Sequence, residues 1–160
     1  LNIIMYESYL QKYIPYILVL WLITACFGMS PKTSFNITVG VDTIPSSMKG
    51  TFTDDYGVRY TINDSVWLQH PDIRYHILKW NFTEQYVIAR NGNGNPTDQG
   101  LYTRIDYMSF QGMAPYYWGF CLTEYKAPSD LAAEDHAAAD RQNPKKGCNG
   151  FPFSRMKKVD

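Results

Sequence analysis

Between Val58 and Tyr125 the chain repeats one pattern: a short run of alternating apolar and polar side chains, rich in Tyr, Ile, Val and Trp, then a cluster of Asp, Asn, Pro or Gly. Alternation with a period of two puts every second side chain on one face of a strand, so each run can bury one face and wet the other. Six runs carry it: Val58 to Ile62, Val66 to Gln69, Ile73 to Trp80, Gln85 to Arg90, Leu101 to Phe110 and Tyr116 to Tyr125. The breaks, Asp54-Asp55-Tyr56-Gly57, Asn63-Asp64, His70-Pro71-Asp72, Asn81-Phe82-Thr83 and the longer Asn91 to Pro96, have turn chemistry and predict hairpins. The expectation is a mainly β domain, a small antiparallel meander barrel with one C-terminal helix and a pinned tail; a β-sandwich or a half-open sheet satisfies the same pattern.

Composition agrees with a packed β domain. Thirteen Tyr, eight Phe and four Trp in 160 residues, with 19% charged residues, are too aromatic and too little charged for a disordered chain. Fifteen basic and fifteen acidic side chains balance. No field therefore draws nucleic acid, and no nucleic-acid motif occurs, so nucleic acid is not an expected partner.

The first thirty residues read as an address. The stretch Ile14 to Ala25 carries no charge, follows Lys12, and is about a dozen residues long, the size of a signal-peptide apolar region and short for a membrane span. Met5 would leave a compact leader with Lys12 as its basic element. The tetrad Ile23-Thr24-Ala25-Cys26 that follows resembles the lipobox of bacterial lipoproteins. That resemblance implies a signal peptide over residues 1–25 and a diacylglycerol with fatty-acyl chains such as palmitate on Cys26. At about 0.8 kcal/mol per buried methylene, two chains anchor stably where one does not. The implied location is the bacterial cell envelope, on a membrane and facing the periplasm or the exterior. The alternatives are a buried Cys26 in an uncleaved anchor helix, or a leader cut beyond it and a secreted domain.

With Cys26 lipidated or removed, Cys121 and Cys148 remain, and two thiols in an exported domain have one possible pairing. Residues 26–49 hold Ser, Thr, Pro and Gly around one alternation, Phe35 to Val41, and read as a tether with one strand; the β domain is expected over 50–160. After Tyr125, Ser129 is placed to cap a helix running to about Ala139, with Asp130 and Glu134 near its positive end. Asn143-Pro144 should end it. The tail Gly147 to Phe153 sets Phe151 and Phe153 beside the disulfide, where both are expected to fold back on the sheet and be buried. The last residues are basic and read either as a solvated terminus or as a segment resting on anionic lipid.

Six or more antiparallel strands, one helix and a disulfide-pinned tail resemble a lipocalin-type barrel, with Gly50-Thr51-Phe52 standing where that family has Gly-x-Trp on its first strand. The resemblance implies an enclosed ligand pocket. The ending Cys148-Asn149-Gly150-Phe151-Pro152 is also similar to that of bacterial exported proteins of unassigned function.

Candidate chemistry is sparse. Tyr102, Arg104 and Asp106 share one face of a strand, which brings a cation and a carboxylate within reach of each other. One face of that strand must turn inward. Taking it to be the polar one predicts a ligand pocket formed by Tyr86, Tyr102, Arg104, Asp106 and Trp118; the competing reading is a structural ion pair, and the opposite face, Leu101, Thr103, Ile105 and Tyr107, is the more apolar. His70, His76 and His136 lack metal-ligand spacing, and Asn91, Asn93 and Asn95 lack the Gly and the Glu of a calcium loop. Asp54 and Asp55 sit in a turn, and no Ser lies in a nucleophile elbow, so no catalytic residue, metal or cofactor is expected. The sequons at Asn36, Asn63 and Asn81 are incidental in a bacterial chain.

These readings point to a non-enzymatic envelope lipoprotein binding a small apolar or amphipathic ligand in a barrel. The alternative is an interaction module that docks an envelope protein through exposed aromatics such as Tyr116-Tyr117-Trp118. A barrel with a lined cavity favours the first. A filled core with a surface aromatic patch favours the second.

Overall fold

The computed structural model describes residues 44–159. The apolar leader, Cys26 and the expected strand Phe35 to Val41 lie outside the described residues. Eight antiparallel strands close into one barrel in sequence order: β1 (Gly50–Thr53), β2 (Arg59–Ile62), β3 (Val66–Gln69), β4 (Ile73–Asn81), β5 (Tyr86–Asn91), β6 (Tyr102–Ser109), β7 (Tyr116–Ala127) and β8 (Ser154–Lys158). β2 to β7 follow the six alternating runs to within two residues at each end. β8 closes the sheet between β7 and β1, through Phe52 opposite Lys158 and Trp118 opposite Met156, and leaves no free edge.

β8 corrects the reading of the basic terminus. In Ser154–Lys158 only Met156 is buried, and its neighbours Arg155 and Lys157 alternate to the other side. One inward apolar residue among cations has no visible alternation by itself, yet it suffices for a strand whose backbone is paired on both sides.

The interior is filled by aromatic rings. Phe52, Tyr60, Trp67, Trp118 and Phe120, all buried, meet edge to face at ring-centroid distances of 5.1 to 6.5 Å. This is the geometry that the ring quadrupole favours, and it stabilises the core by about 0.5–1.5 kcal/mol per pair beyond area burial. Ile62, Val87, Ala89, Ile105 and Tyr107 complete the cluster. Burial pushes the Tyr107 hydroxyl up to about 12 and raises that of Tyr60 as well, with the Asp54 carboxylate adding to the latter, so both stay neutral. Ile44 and Met48, expected in a tether, belong to the same core; a single 3-10 turn over Ser46–Met48 brings Met48 inward.

Outside the barrel, residues 128–153 are strapped across the wall of β5, β6 and β7. A short helix α1 (Asp130–Glu134) starts where the sequence places it, with the Ser129 hydroxyl accepting the Ala132 N–H at 3.1 Å. It stops at Glu134 rather than near Ala139. The Glu134 carbonyl, which could otherwise accept from a following turn, takes a hydrogen bond from the Arg104 guanidinium at 2.5 Å. The Glu134 carboxylate is held by Lys79 and by the Tyr86 hydroxyl, so the chain is tied to the wall at the point where the helix ends. Small side chains permit close contact: Ala133 packs on Tyr86, Ile88 and Ala127, and Ala139 on Cys121 and Phe153.

The Cys121–Cys148 disulfide joins β7 to the strap, with a Cα–Cα distance of 5.4 Å. Beside it Phe153 is buried as expected. Phe151 is instead 71% exposed, because Asn149 and Gly150, both at positive φ, turn the chain tightly and pair Cys148 with Phe151 through their backbones, leaving the latter ring outside.

Candidate functional site

The five residues read from sequence as a pocket do not share a face. Ile105 and Tyr107 point into the barrel, so Arg104 and Asp106 point out; Asp106 lies opposite Cys121 on β7, while Trp118 lies among the interior rings. Trp118 is therefore separated from Tyr86, Tyr102, Arg104 and Asp106 by the thickness of the sheet. The apolar face of β6 won the interior, as the transfer free energy of Ile105 and Tyr107 requires.

Arg104 and Asp106 are nevertheless buried, at 4% and 0% exposure, because the strap covers them. Asp106 accepts from Arg104 Nε at 3.0 Å and Nη2 at 3.2 Å, from Thr123 Oγ1 at 2.6 Å and from Arg141 Nη2 at 2.8 Å. Four donors occupy the lone-pair sites of one carboxylate, so nothing is left to receive a ligand. The Arg104 guanidinium also lies 4.1 Å from the centre of the Tyr86 ring. Arg141, carried by the strap, donates to the carbonyls of Glu84, Gln85 and Tyr107 at 2.8 to 2.9 Å. At its margin the Glu134 carboxyl is held below its ordinary range by the Lys79 ammonium and the Tyr86 hydroxyl. The cluster is a latch between wall and strap.

Other polar candidates are spent on the backbone as well. Asn91 donates to the carbonyls of Asp98 and Tyr125 and accepts from Thr103, while Asn95 pairs with both backbone groups of Arg74. Asp54 accepts the N–H groups of Tyr56 and Val58, the turn role expected for it. Among the described residues no group of three or more His, Cys, Asp or Glu is arranged to hold a metal.

Open space occurs in several places: about 220 Å³ next to the core side chains Ile73, Tyr75 and Leu122, about 440 Å³ beside His76, Leu78 and Arg90, and a further space on the outer wall. A groove of about 470 Å³ is bounded by the β1–β2 turn (Asp55, Tyr56), the β6–β7 loop (Phe110, Met113), the strap (Pro144, Lys145) and the approach to β8 (Pro152, Phe153, Arg155). This is within the range of small-ligand sites. Its apolar side chains come from four stretches of chain, and two of them, Phe110 and Phe153, are held by their neighbours. The Phe110 ring approaches Gly119 through its Cζ and Cε2 atoms, so that any Cβ would meet the ring at 2.9 Å and the Ser154 carbonyl at 2.9 Å, and only Gly lets this wall form. Phe153 is held by the disulfide cluster, and its N–H donates to the Pro144 carbonyl at 2.9 Å. Tyr56, at 71% exposure, and Met113 flank the opening.

The charges at the rim are unequal. Arg155 is engaged by Asp55, with Nε and Nη2 at 2.9 to 3.1 Å, and stacks 4.6 Å over the Tyr116 ring; Asp55 raises its pKa further. Lys145 lines the groove and has no acidic partner among the described residues. Comparison of the chain with protein families, curated proteins and solved structures finds no match.

Sequence reasoning did not assemble this groove, because its walls are separated by up to a hundred residues and have no local motif. The available signals were single residues: a Gly within the aromatic run of β7, and an aromatic pair around Pro152 next to a cysteine.

Proposed function

We propose that this chain is a non-catalytic binding protein of the bacterial cell envelope, held at a membrane by lipid on Cys26, whose working surface is the groove between Tyr56, Phe110, Met113 and Phe153. The ligand class is a small apolar or amphipathic molecule. Rings fill the barrel interior, which counts for a docking module over a ligand enclosed in the barrel; one observation outside it carries the small-ligand reading instead, a preformed, largely apolar space of about 470 Å³ on the outer wall. The disulfide supports an oxidising compartment, and the tetrad ending at Cys26 supports the anchor.

A second reading has its own support. Tyr56 and Phe151 are each 71% exposed and Tyr117 is 60% exposed, and exposed aromatics of this kind mark protein interfaces. Of the triplet Tyr116-Tyr117-Trp118, Tyr117 remains available to a partner, whereas the Tyr116 ring is covered by Arg155 and Trp118 is buried.

The neutral fluorophore N-phenyl-1-naphthylamine tests the first reading. The wild-type domain should bind it with a rise in fluorescence, and Met113→Asp should weaken that binding about tenfold or more, since a carboxylate in the groove is desolvated by the ring. Met113 is partly exposed, so the variant should fold as the wild type does. Equal affinity in the two proteins, or no binding to either, contradicts the assignment.

A further inference from the structure

We infer that the groove selects an amphipathic anion, with an acyl-like tail against Phe110, Met113 and Phe153 and an anionic head on Lys145. This rests on the groove being the binding surface and adds the charge of its ligand.

Three charged side chains border the space: Asp55, Arg155 and Lys145. The first two neutralise each other through the contacts given above, and Arg155 is further occupied by the Tyr116 ring. One positive charge is left at the edge of an apolar surface. A neutral ligand would leave that ammonium to water, a cationic one would meet like charge, and an anionic one would gain a charge-assisted hydrogen bond next to low-dielectric walls.

The position of Lys145 is set by the chain around it. It follows Pro144, whose fixed φ stiffens the approach, and lies inside a tight turn in which the N–H groups of Lys146 and Gly147 donate to the Asn143 carbonyl at 3.0 and 2.7 Å. Gly147 sits so close to Asp140 that a Cβ would meet its carbonyl oxygen at 1.9 Å, so the turn has one geometry. The nearest acidic side chain in the turn, Asp140, uses Oδ1 to accept the Gln142 N–H. The disulfide at Cys148 then ties the turn to the barrel. These contacts fix the backbone that carries Lys145 at the groove, while its side chain is exposed.

Decanoate, decyl glucoside and decyltrimethylammonium share one tail and differ in head-group charge, and titration of each below its micelle concentration separates the two claims. Wild-type domain should bind decanoate about tenfold more tightly than decyl glucoside, the range expected for a hydrogen bond to a charged group, and the cation most weakly. Lys145→Ala should bring decanoate down to the glucoside level and leave the glucoside unchanged, while Lys145→Glu should reverse the order of anion and cation. If the three bind wild type alike, the charge selection is overturned and the groove stands as a binding surface. If none displaces N-phenyl-1-naphthylamine from the wild-type domain, the groove assignment falls with it.

Discussion

Asp106→Ala should destabilise the domain by roughly 3–5 kcal/mol, the range for breaking a buried ion pair from one side. The carboxylate is fully buried and serves two guanidiniums and a threonine; removing it leaves Arg104, with a side chain 5% exposed, charged and without its counter-ion. Lys49–Asp64 is the internal control. Its side chains are 49% and 48% exposed, and Asp64→Ala should leave the unfolding midpoint close to the wild-type value because water and salt screen the pair. Urea unfolding of the two variants measures the difference, and a loss below about 1 kcal/mol for Asp106→Ala would show that the latch does not hold strap to wall.

Loss of the disulfide should be comparable in size. Cys121 and Cys148 are 27 residues apart, and closing such a loop reduces unfolded-state entropy by about 3.5 kcal/mol in the chain-entropy model. Cys121→Ser and Cys148→Ser remove one and the same cross-link, so each should lower stability by a similar amount and the double variant by little more. The structure adds a functional consequence, because Phe153 packs in the disulfide cluster and forms part of the groove. Both variants should therefore also lose affinity for the naphthylamine probe. Two free thiols in the folded protein purified under oxidising conditions, or unchanged unfolding midpoints in the variants, would contradict this.

The barrel was legible in the sequence wherever a strand buries several residues on one side. β4 to β7 have long alternations, and their limits follow the sequence closely. The two strands that close the ring were harder to see. β1 has four residues with only Phe52 buried, and β8 has Met156 alone, so neither has enough period to distinguish it from loop or tail. The helix shows the opposite error. Alanine propensity favours residues through Ala139, but the bonds of Arg104, Tyr86 and Lys79 to Glu134 exceed the few tenths of a kcal/mol per residue that propensity offers.

For the polar residues, the sequence placed Arg104 and Asp106 on one face and weighed two directions for it. The direction taken was wrong for the interior. The outward face is buried all the same, because a later segment covers it, and no pattern within β6 could announce a cover contributed by residues 128–147. The disulfide pairing was legible from the count once Cys26 is set aside with the leader. The groove was not, since it exists only once the β1–β2 turn, the β6–β7 loop, the strap and the approach to β8 meet on one wall.

The most direct test of where this protein binds is a nuclear magnetic resonance titration of the labelled domain with decanoate, following the Met113 methyl group and the indole N–H signals of Trp67 and Trp118. Those two indoles are buried among the interior rings, with no hydrogen-bond partner to mask a change in their surroundings. The account predicts saturable shifts at Met113 and at the amides of Tyr56, Phe110, Lys145 and Phe153, with both indole signals unmoved. Shifts centred on the indoles of Trp67 and Trp118, with Met113 unaffected, would place the ligand inside the barrel and contradict it.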